Sequence, residues 1–323
     1  MPHCAVDATS LWEESSVTET CPDTHDRFIG CLLGLAVGDA VGTTLEFKPR
    51  GSFTPIDDMV GGGPFGLEPG QWTDDTSLAL CLATSLNERD GFDARDQMER
   101  YCRWYERGYL SSTGECFDIG TTTVSALRAF RRTGEPMAGN PDSYSAGNGS
   151  LMRLAPVPMF FYPDLDEIER MSGLSSRTTH GAPECVDSCR LFGRMLGRAL
   201  LGLSRDDVLF GDRTGFEAVP AVEAIARGDW ISRSRADIRG TGYVVSSLEA
   251  ALWCFHRTET FRDAILEAVN LGDDADTTGA VCGQIAGAFY GASGIPSAWL
   301  DRLAMRDEIQ KLATDLYARH AQV

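Results

Sequence analysis

Four glycines spaced four residues apart restrict the fold of this chain more than any other sequence feature. The apolar segment FIGCLLGLAVGDAVG carries them at Gly30, Gly34, Gly38 and Gly42. Residues four apart share one face of an α-helix, so the spacing predicts a helix with a glycine stripe along one side. Apolar residues cover most of the remaining helix surface, which is typical of a buried helix. We therefore expect a central helix that a second helix approaches closely.

Helical periodicity recurs along the rest of the chain. It covers residues 77–83, 96–107, 121–131, 183–203, 219–227, 243–255, 261–269, 279–291 and 296–318. Runs of alternating β-branched residues are nearly absent, and residues 157–162 are flanked by prolines and are not assigned. No linker is long enough to divide the chain. The sequence predicts one mostly helical domain.

The N-terminal segment, residues 1–26, has a different composition. It is polar and acidic, includes Glu13, Glu14, Asp23 and Asp26, and lacks the apolar core of a secretion signal. We interpret it as an arm ahead of a domain at 27–323, and two readings stay open: a disordered tail or a partner-binding segment. A second irregular segment, the glycine- and proline-rich loop 48–71, is a candidate active-site lid.

Charge and cysteine usage limit the partners and the compartment. The net charge is -18, from 47 acidic and 29 basic residues, which disfavours nucleic acid and anionic membranes as partners. The apolar run 28–37 is too short to span a bilayer. The 10 cysteines form no C-x-x-C pair, and Cys185 and Cys189 lie one helical turn apart, as on a buried helix face. These features predict a cytoplasmic protein with reduced, buried thiols.

Two acidic clusters stand at the starts of predicted helices, WTDDT at 72–76 and GDDADTT at 272–278. Capping of the first helical turn would explain one acidic or hydroxyl side chain at such a position. Each cluster has at least four, and adjacent carboxylates repel one another unless a cation compensates. Because the side chains are carboxylates and hydroxyls, without His or Cys, they favour Mg²⁺ or Mn²⁺ over zinc. Two cations held in this way can bind phosphate or sugar oxygens and activate a water.

Four further sites are candidates for function. Glu46 lies between the first helix and the loop and can be a metal ligand, a base or a surface residue. Asp118 can be a helix N-cap or a general base with a raised pKa. SAGNGS, residues 145–150, resembles an anion cradle in which Arg153 neutralises charge. His180 can be structural or functional.

Seven motifs occur in a fixed order between residues 27 and 299: GDAVGTTLEF, QWTDDTSLAL, CFDIGTTT, SAGNGSLMRLAPV, TTHG, GTGYVVSSLEAALW and NLGDDADTTGAVCGQIAGAFYG. Together they resemble the ADP-ribosylglycohydrolase family, in particular its bacterial branch, which includes the enzyme that de-modifies dinitrogenase reductase. The resemblance implies an all-α fold, a single compact orthogonal helical domain with a binuclear metal site at its centre. It also implies hydrolytic removal of ADP-ribose from a protein side chain.

The resemblance also implies roles for particular residues. Two Mg²⁺ or Mn²⁺ ions would be bound by Thr73, Asp74, Asp75, Asp274, Asp276 and Thr277. Asp118 matches the family's catalytic aspartate, and Glu46 matches a glutamate at the metal site or its mobile loop. The ADP-ribose would be bound by Gly120, Ser145, Gly147, Asn148, Gly149, His180 and Tyr243, with Tyr243 near the leaving side chain and His180 the looser match. Thr121 stands where relatives often carry Asn.

Arginine is the favoured leaving side chain, and two alternatives remain. The first is another ADP-ribose linkage, to serine or in O-acetyl-ADP-ribose. The second is an immunity or regulatory protein that blocks an ADP-ribosyltransferase through its N-terminal arm, with or without reversing the modification. An ADP-ribosylated protein is the expected substrate for the arginine and serine linkages, and an ADP-ribosyltransferase is an additional partner if the chain is an immunity or regulatory protein.

Overall fold

The computed structural model describes residues 22–320, and within that range the chain forms fourteen α-helices and no β-strand. The helices are α1 (Thr24–Gly42), α2 (Asp74–Arg89), α3 (Ala94–Arg107), α4 (Thr121–Thr133), α5 (Pro156–Phe161), α6 (Leu165–Arg177), α7 (Pro183–Leu200), α8 (Arg205–Phe210), α9 (Pro220–Arg227), α10 (Val244–His256), α11 (Phe261–Val269), α12 (Ala275–Tyr290), α13 (Ser297–Arg302) and α14 (Arg306–Ala318). Their buried apolar faces form one contiguous core. The prediction of a single all-helical domain is confirmed.

The glycine stripe of α1 packs against a second glycine stripe on α12. A methyl group added at Gly34 would lie 2.3 Å from the carbonyl oxygen of Gly283, and one added at Gly38 would lie 2.0 Å from that of Gly279. Gly34 and Gly38 of α1 face Gly283 and Gly279 of α12, so the residue number rises along one helix where it falls along the other. The two helices therefore run antiparallel with their backbones in contact. The stripe on α1 was predicted, but its partner was not, although α12 repeats the same four-residue glycine spacing.

Burial of α1 explains its composition. Every residue from Arg27 to Gly42 is buried. Residues Thr24–Leu45 are long and apolar enough to cross a membrane by composition alone, and the whole apolar window is buried inside the fold. The helical segment is thus longer than the apolar run 28–37 indicated. Its apolar surface faces the surrounding helices, as expected for a helix that is hydrophobic on all sides.

Three helices were not predicted, and one predicted helix is divided. α5, α6 and α8 are additional, and α5 occupies the proline-flanked stretch that was left unassigned. The signal for α6 was present, since Asp164 caps it by accepting from the backbone N–H groups of Asp166 and Glu167. The segment 296–318 forms α13 and α14, because Met305 adopts a left-handed conformation with φ of 53° between them.

The boundary of the N-terminal arm falls inside the first helix. α1 begins at Thr24, and Asp23 caps it by accepting from the backbone N–H of Asp26 at 2.8 Å. The last residues of the predicted arm therefore belong to the helical domain. Residues 1–21 lie outside the part of the chain described here, so the choice between a tail and a partner-binding segment stays a prediction.

The glycine- and proline-rich loop 48–71 is attached to the domain at several points. Arg50 donates to the carbonyl oxygens of Leu271 and Ile238, and the Asn270 side chain exchanges two hydrogen bonds with the backbone of Ile56. These contacts hold the loop beside the segment that leads into α12. Its assignment as a lid remains a prediction.

The described cysteines have the predicted environment. Within residues 22–320 all eight are free thiols, seven of them buried and Cys116 half-buried. Cys185 and Cys189 both lie on the buried face of α7. These thiols serve as small apolar side chains in the core.

Enlarging a glycine at the α1–α12 contact should destabilise the protein. Because a methyl group at position 34 meets a rigid backbone carbonyl, we expect Gly34→Ala to lower the free energy of unfolding by about 3 kcal/mol, the upper end of the cost of overpacking. Urea denaturation monitored by circular dichroism measures this change. The control is Gly91→Ala, where an added methyl group has no neighbour within 4 Å. Equal stability of the two variants would contradict the close backbone contact.

Candidate metal centre

Three helices begin around one cavity of about 670 Å³. Asp74 is the first residue of α2, Thr121 the first of α4, and Asp274 precedes α12. The first turn of a helix carries a partial positive charge, so three such turns favour anionic groups at the cavity wall. The lining residues include Glu46, Phe47, Asp74, Asp118, Gly120, Thr121, Thr122, Gly147, Asn148, Gly149, His180, Asp273, Asp274, Asp276 and Thr277.

Asp39 connects α1 to the start of α2. Its side chain is fully buried and accepts hydrogen bonds from the backbone N–H and hydroxyl of Thr73, at 2.9 and 3.0 Å, and from those of Thr76, at 3.0 and 2.7 Å. α2 is therefore capped by a carboxylate from another helix. Asp39 was not among the predicted site residues, although a lone carboxylate inside an apolar helix indicates that it has a polar partner.

Capping does not account for the predicted acidic clusters. Thr73 and Asp274 occupy the N-cap positions of α2 and α12, and neither side chain makes a capping hydrogen bond. The N-cap of α4 is Gly120, so Asp118 does not cap that helix. The Thr73 hydroxyl instead lies 3.1 Å from a carboxylate oxygen of Asp75 and 3.2 Å from one of Asp276. These side chains point toward one another rather than along the helix axes.

Two groups of carboxylates meet at Asp276. Oxygens of Asp39, Asp75 and Asp276 lie within 4.8 Å of one another, and so do oxygens of Glu46, Asp118 and Asp276. Three of these oxygens, Glu46 Oε2, Asp75 Oδ1 and Asp276 Oδ1, are buried and have no hydrogen-bond partner. Buried carboxylate oxygens are costly without a partner or a cation. An all-oxygen set of this kind fits Mg²⁺ or Mn²⁺, so the donor chemistry agrees with the predicted ions.

Burial and mutual repulsion change the acidity of these groups. Burial raises the pKa of Asp39 to about 6, even though its four hydrogen bonds act in the opposite direction. Burial, followed by the charges of neighbouring carboxylates, raises the pKa of Asp75 and of Asp276 well above the usual value. Without added positive charge the carboxylates cannot all be ionised near neutral pH. Cations bound at the cluster would allow full ionisation.

Glu46 and Asp118 form a carboxyl pair at the cavity wall. The backbone N–H of Phe47 donates to the carbonyl oxygen of Asp273 at 2.8 Å, and that of Asp273 donates to Lys48 at 2.9 Å, which holds Glu46 beside the second cluster. Asp118 adopts a left-handed conformation with φ of 59°. Oxygens of the two carboxyl groups lie within 4.8 Å of each other, so a proton or a cation between them would relieve their repulsion. Burial raises the pKa of Asp118 to about 7, and burial followed by the Asp118 charge raises the pKa of Glu46 further.

The glycine loop 147–149 forms another wall of the cavity. Asn148 anchors it, because its backbone N–H donates to Gly242 at 3.0 Å and its side-chain amide donates to Asp274 at 2.7 Å. A methyl group at Gly149 would lie 2.8 Å from the His180 ring. Glycine is therefore needed for this loop to lie against that ring.

His180 is a neutral wall residue. It is 2% exposed, and its Nδ1 lies 2.8 Å from the Thr179 hydroxyl. Burial, with a smaller contribution from the Arg153 charge, lowers the pKa of His180 to about 3. The ring thus carries no charge at neutral pH and contributes shape and hydrogen bonding rather than acid–base chemistry.

The structure brings most predicted site residues together. Asp74, Asp274, Asp276 and Thr277 line the cavity, and Thr73 and Asp75 are fully buried next to Asp276. Of the predicted substrate-binding residues, Gly120, Gly147, Asn148, Gly149 and His180 line the cavity. Ser145 and Tyr243 are not among the lining residues.

Three residues make contacts within the protein that their motifs did not indicate. The Ser145 hydroxyl donates within its own loop, to the carbonyl oxygens of Asn140 and Asp142. Tyr243 pairs through its backbone with Gly147, and its side chain is 41% exposed. Arg153, expected to neutralise an anion, is fully buried and donates to the Gly149 carbonyl oxygen at 2.7 Å. It supports the glycine loop from the core side.

Comparisons with known proteins agree with this site. A model of the ADP-ribosylglycohydrolase family matches residues 20–323. The chain is 45% identical to the ADP-ribosylarginine hydrolase Tri1 of Pseudomonas putida (strain GB-1), over 97% of this chain and 84% of the relative. It is 32% identical to the ADP-ribosyl-[dinitrogen reductase] glycohydrolase of Rhodospirillum rubrum, over 90% and 94%. A solved structure titled ADP-ribosylglycohydrolase-related protein complex matches with a TM-score of 0.80 and 43% identity, over 92% of this chain and 98% of that one.

Removing the charge of Asp39 should loosen both the helix start and the metal site. In Asp39→Asn an amide NH₂ replaces one oxygen and faces two donors, so we expect a loss of about 1–3 kcal/mol in the free energy of unfolding. We also expect Mn²⁺ affinity to fall by about tenfold or more. Calorimetric titration and thermal denaturation measure the two effects. Asp57→Asn, an exposed position in the loop, is the matched control; if both variants bind Mn²⁺ equally, Asp39 has no part in the site.

The metal-free protein should lose stability as pH rises. An unfolded aspartate titrates near about 4, whereas the folded pKa values are about 6 for Asp39 and about 7 for Asp118. Between these limits the folded state binds more protons than the unfolded state, so the free energy of unfolding decreases from about pH 4 to about pH 7. Mn²⁺ should reverse this trend, because deprotonated carboxylates bind it more tightly. Melting temperatures in EDTA and in Mn²⁺ test both directions; a metal-free protein that becomes more stable with pH would contradict the prediction.

Proposed function

Since the chain belongs to the ADP-ribosylglycohydrolase family, we propose that it hydrolyses the bond between ADP-ribose and a modified arginine side chain. The observation that carries this proposal is the arrangement of two carboxylate clusters, Asp39–Asp75–Asp276 and Glu46–Asp118–Asp276, which share Asp276. Three carboxylate oxygens in these clusters are buried and have no hydrogen-bond partner. Glu46, Asp118 and Asp276 line a cavity whose other wall is the glycine loop 147–149. Arginine is chosen because the relative named an ADP-ribosylarginine hydrolase shares 45% identity over nearly the whole chain.

Two Mg²⁺ or Mn²⁺ ions are part of the proposal. The residues proposed to hold them are Thr73, Asp74, Asp75, Asp274, Asp276 and Thr277, to which the geometry adds Asp39, Glu46 and Asp118 as nearby carboxylates. When bound, the ions would supply positive charge to ribose hydroxyls and to a water. The unpartnered oxygens of Asp75 and Asp276 support this assignment, because a cation would satisfy both.

The diphosphate of the substrate is proposed to lie against α4 and the glycine loop. Thr121 and Thr122 line the cavity at the first turn of α4, where backbone N–H groups and the helix dipole favour an anion. Gly147 and Gly149 carry no side chain, so phosphate oxygens can approach the backbone. Arg153 holds this wall in place through the Gly149 carbonyl oxygen. An acidic protein can thus bind an anionic substrate without a cationic side chain in the cavity.

The carboxyl pair is proposed to carry the proton transfers. In the reaction the bond between the ribose anomeric carbon and the arginine nitrogen breaks, and a water oxygen bonds to that carbon. Asp118 or Glu46 accepts the proton released by the water, and that proton can then pass to the departing nitrogen. The closeness of the two carboxyl groups to each other and to Asp276 supports this role.

The reaction is tested by release of ADP-ribose from an arginine-ADP-ribosylated protein, followed by mass spectrometry with added Mg²⁺ or Mn²⁺ and with EDTA. Release that requires the metal is expected. Without release, and with ADP-ribose still binding, the activity would belong to another linkage, such as serine or O-acetyl-ADP-ribose.

Substitution of the shared carboxylate should abolish most of this activity. Asp276→Asn removes the one negative charge that belongs to both carboxylate clusters. We expect kcat/KM to fall by about 100-fold or more, which is the scale of losing one group that stabilises the transition state. The fold should survive, because the side chains have the same shape. Asp57→Asn should keep wild-type turnover. Full turnover by Asp276→Asn would overturn the proposed role of the centre.

One observation favours a second function of the protein, which its N-terminal segment would perform. The family match starts at residue 20, whereas the match to the Pseudomonas putida relative covers 97% of the chain, more than residues 20–323 alone provide. We propose that this acidic segment, part of which the relative shares, binds an ADP-ribosyltransferase and inhibits it. Deletion of residues 1–19 should leave hydrolysis intact and abolish inhibition of the transferase. A deletion variant that still inhibits would exclude this role.

We also propose that the protein works in the cytoplasm. The free, buried thiols of the described residues are the supporting observation, since reduced cysteines are typical of that compartment.

A further inference from the structure

Phe47 combines three properties that core packing does not explain. Its side chain is 64% exposed, it lines the cavity, and its backbone has a φ of 59°. Positive φ is uncommon for a bulky residue and costs free energy that surrounding contacts must offset. The hydrogen bond from its backbone N–H to Asp273 holds the residue in this conformation. The fold therefore keeps an aromatic ring in water at the edge of the cavity.

The ring belongs to a short aromatic series beside the carboxyl pair. The centroids of Phe47 and Phe65 are 6.4 Å apart, and those of Phe65 and Phe117 are 5.2 Å apart, with tilted or edge-on geometry. Phe47 directly follows Glu46, and Phe117 directly precedes Asp118. Phe47 lines the cavity next to Glu46, and the contacts through Phe65 connect it to the residue before Asp118.

The proposed function places the leaving side chain at this edge. If the diphosphate lies against the glycine loop and α4, and if Glu46 and Asp118 act at the anomeric carbon, the group attached to that carbon departs past the Glu46 side. That group is a planar guanidinium cation. A guanidinium packs favourably over an aromatic face, and nearby carboxylates add to the attraction.

We propose that Phe47 determines specificity for the arginine linkage by packing its ring against the leaving guanidinium group. The inference rests on the proposed function and adds a residue that recognises the leaving group rather than the ADP-ribose. In this proposal the left-handed backbone at position 47 has a function, because it directs the ring into solvent instead of into the core. Exposure of the ring before substrate binding is then a requirement of the site.

The test compares three variants on an arginine-ADP-ribosylated peptide. Phe47→Gly removes the ring and also relieves the positive φ, so its melting temperature should equal or exceed that of the wild type. Its kcat/KM should fall by about five- to tenfold, the scale of a partly exposed cation–π contact. Phe47→Trp should restore activity, because the aromatic face is kept. Val60→Ala, at a 48% exposed apolar residue of the loop 48–71, is the control and should match the wild type.

Binding of the product ADP-ribose, measured by calorimetry, provides the second readout. Because ADP-ribose lacks the guanidinium group, its Kd should be the same for Phe47→Gly and the wild type. An equal fold-change in Kd and in kcat/KM would show that the ring contacts ADP-ribose, and would overturn the proposal. So would wild-type activity of Phe47→Gly, or failure of Phe47→Trp to restore activity.

The same experiment separates this inference from the proposed function. Release of ADP-ribose by the wild type, together with an unaffected Phe47→Gly variant, overturns the role of Phe47 alone. Absence of release by the wild type overturns both.

Discussion

The direct backbone contact between α1 and α12 is the constraint on which the rest of the structure depends. Glycines on both helices remove the side chains that would otherwise separate them, and the contact continues to Gly42, where an added methyl group would lie 2.4 Å from the Cα of Asp276. Asp39 on α1 and Asp276 on α12 are thereby brought to opposite sides of one small space. A wider separation of the helices would put their carboxylates beyond the reach of a common cation.

The second constraint is the concentration of negative charge that this contact creates. Several carboxylates are buried within a few ångströms, and burial raises the pKa of each because the charged form loses its hydration. The fold offsets part of this cost through the hydrogen bonds that Asp39 accepts and through the positive first turns of three helices. The remaining cost favours cation binding, because one oxygen of Asp75 and one oxygen of Asp276 have no hydrogen-bond partner among the described residues.

The walls of the cavity differ in chemistry. On one side stand carboxyl groups that repel one another and that a cation would stabilise. On another stand the glycine loop and the first turn of α4, which present backbone rather than charged side chains. Arg153 and His180, the groups most easily taken for anion binders, are respectively buried behind the loop and neutral. A substrate with an anionic diphosphate and a cationic leaving group matches this arrangement. The diphosphate would lie against the backbone of the glycine loop and α4, and the cation would lie near the carboxyl groups.

By itself, the sequence determined those features that depend on neighbours along the chain. Helical periodicity and the spacing of glycines identified α1 and most other helices, and the two acidic clusters revealed both the donor chemistry and the family. What it did not reveal were relations between distant residues: the partner of the α1 stripe, the role of Asp39, the sharing of Asp276, and the positions of Arg153, Ser145 and Tyr243. Periodicity reports contacts within a few helical turns. The distance between residues more than 200 positions apart, such as Asp39 and Asp276, is set only when helices pack, so tertiary structure alone decided which carboxylates meet.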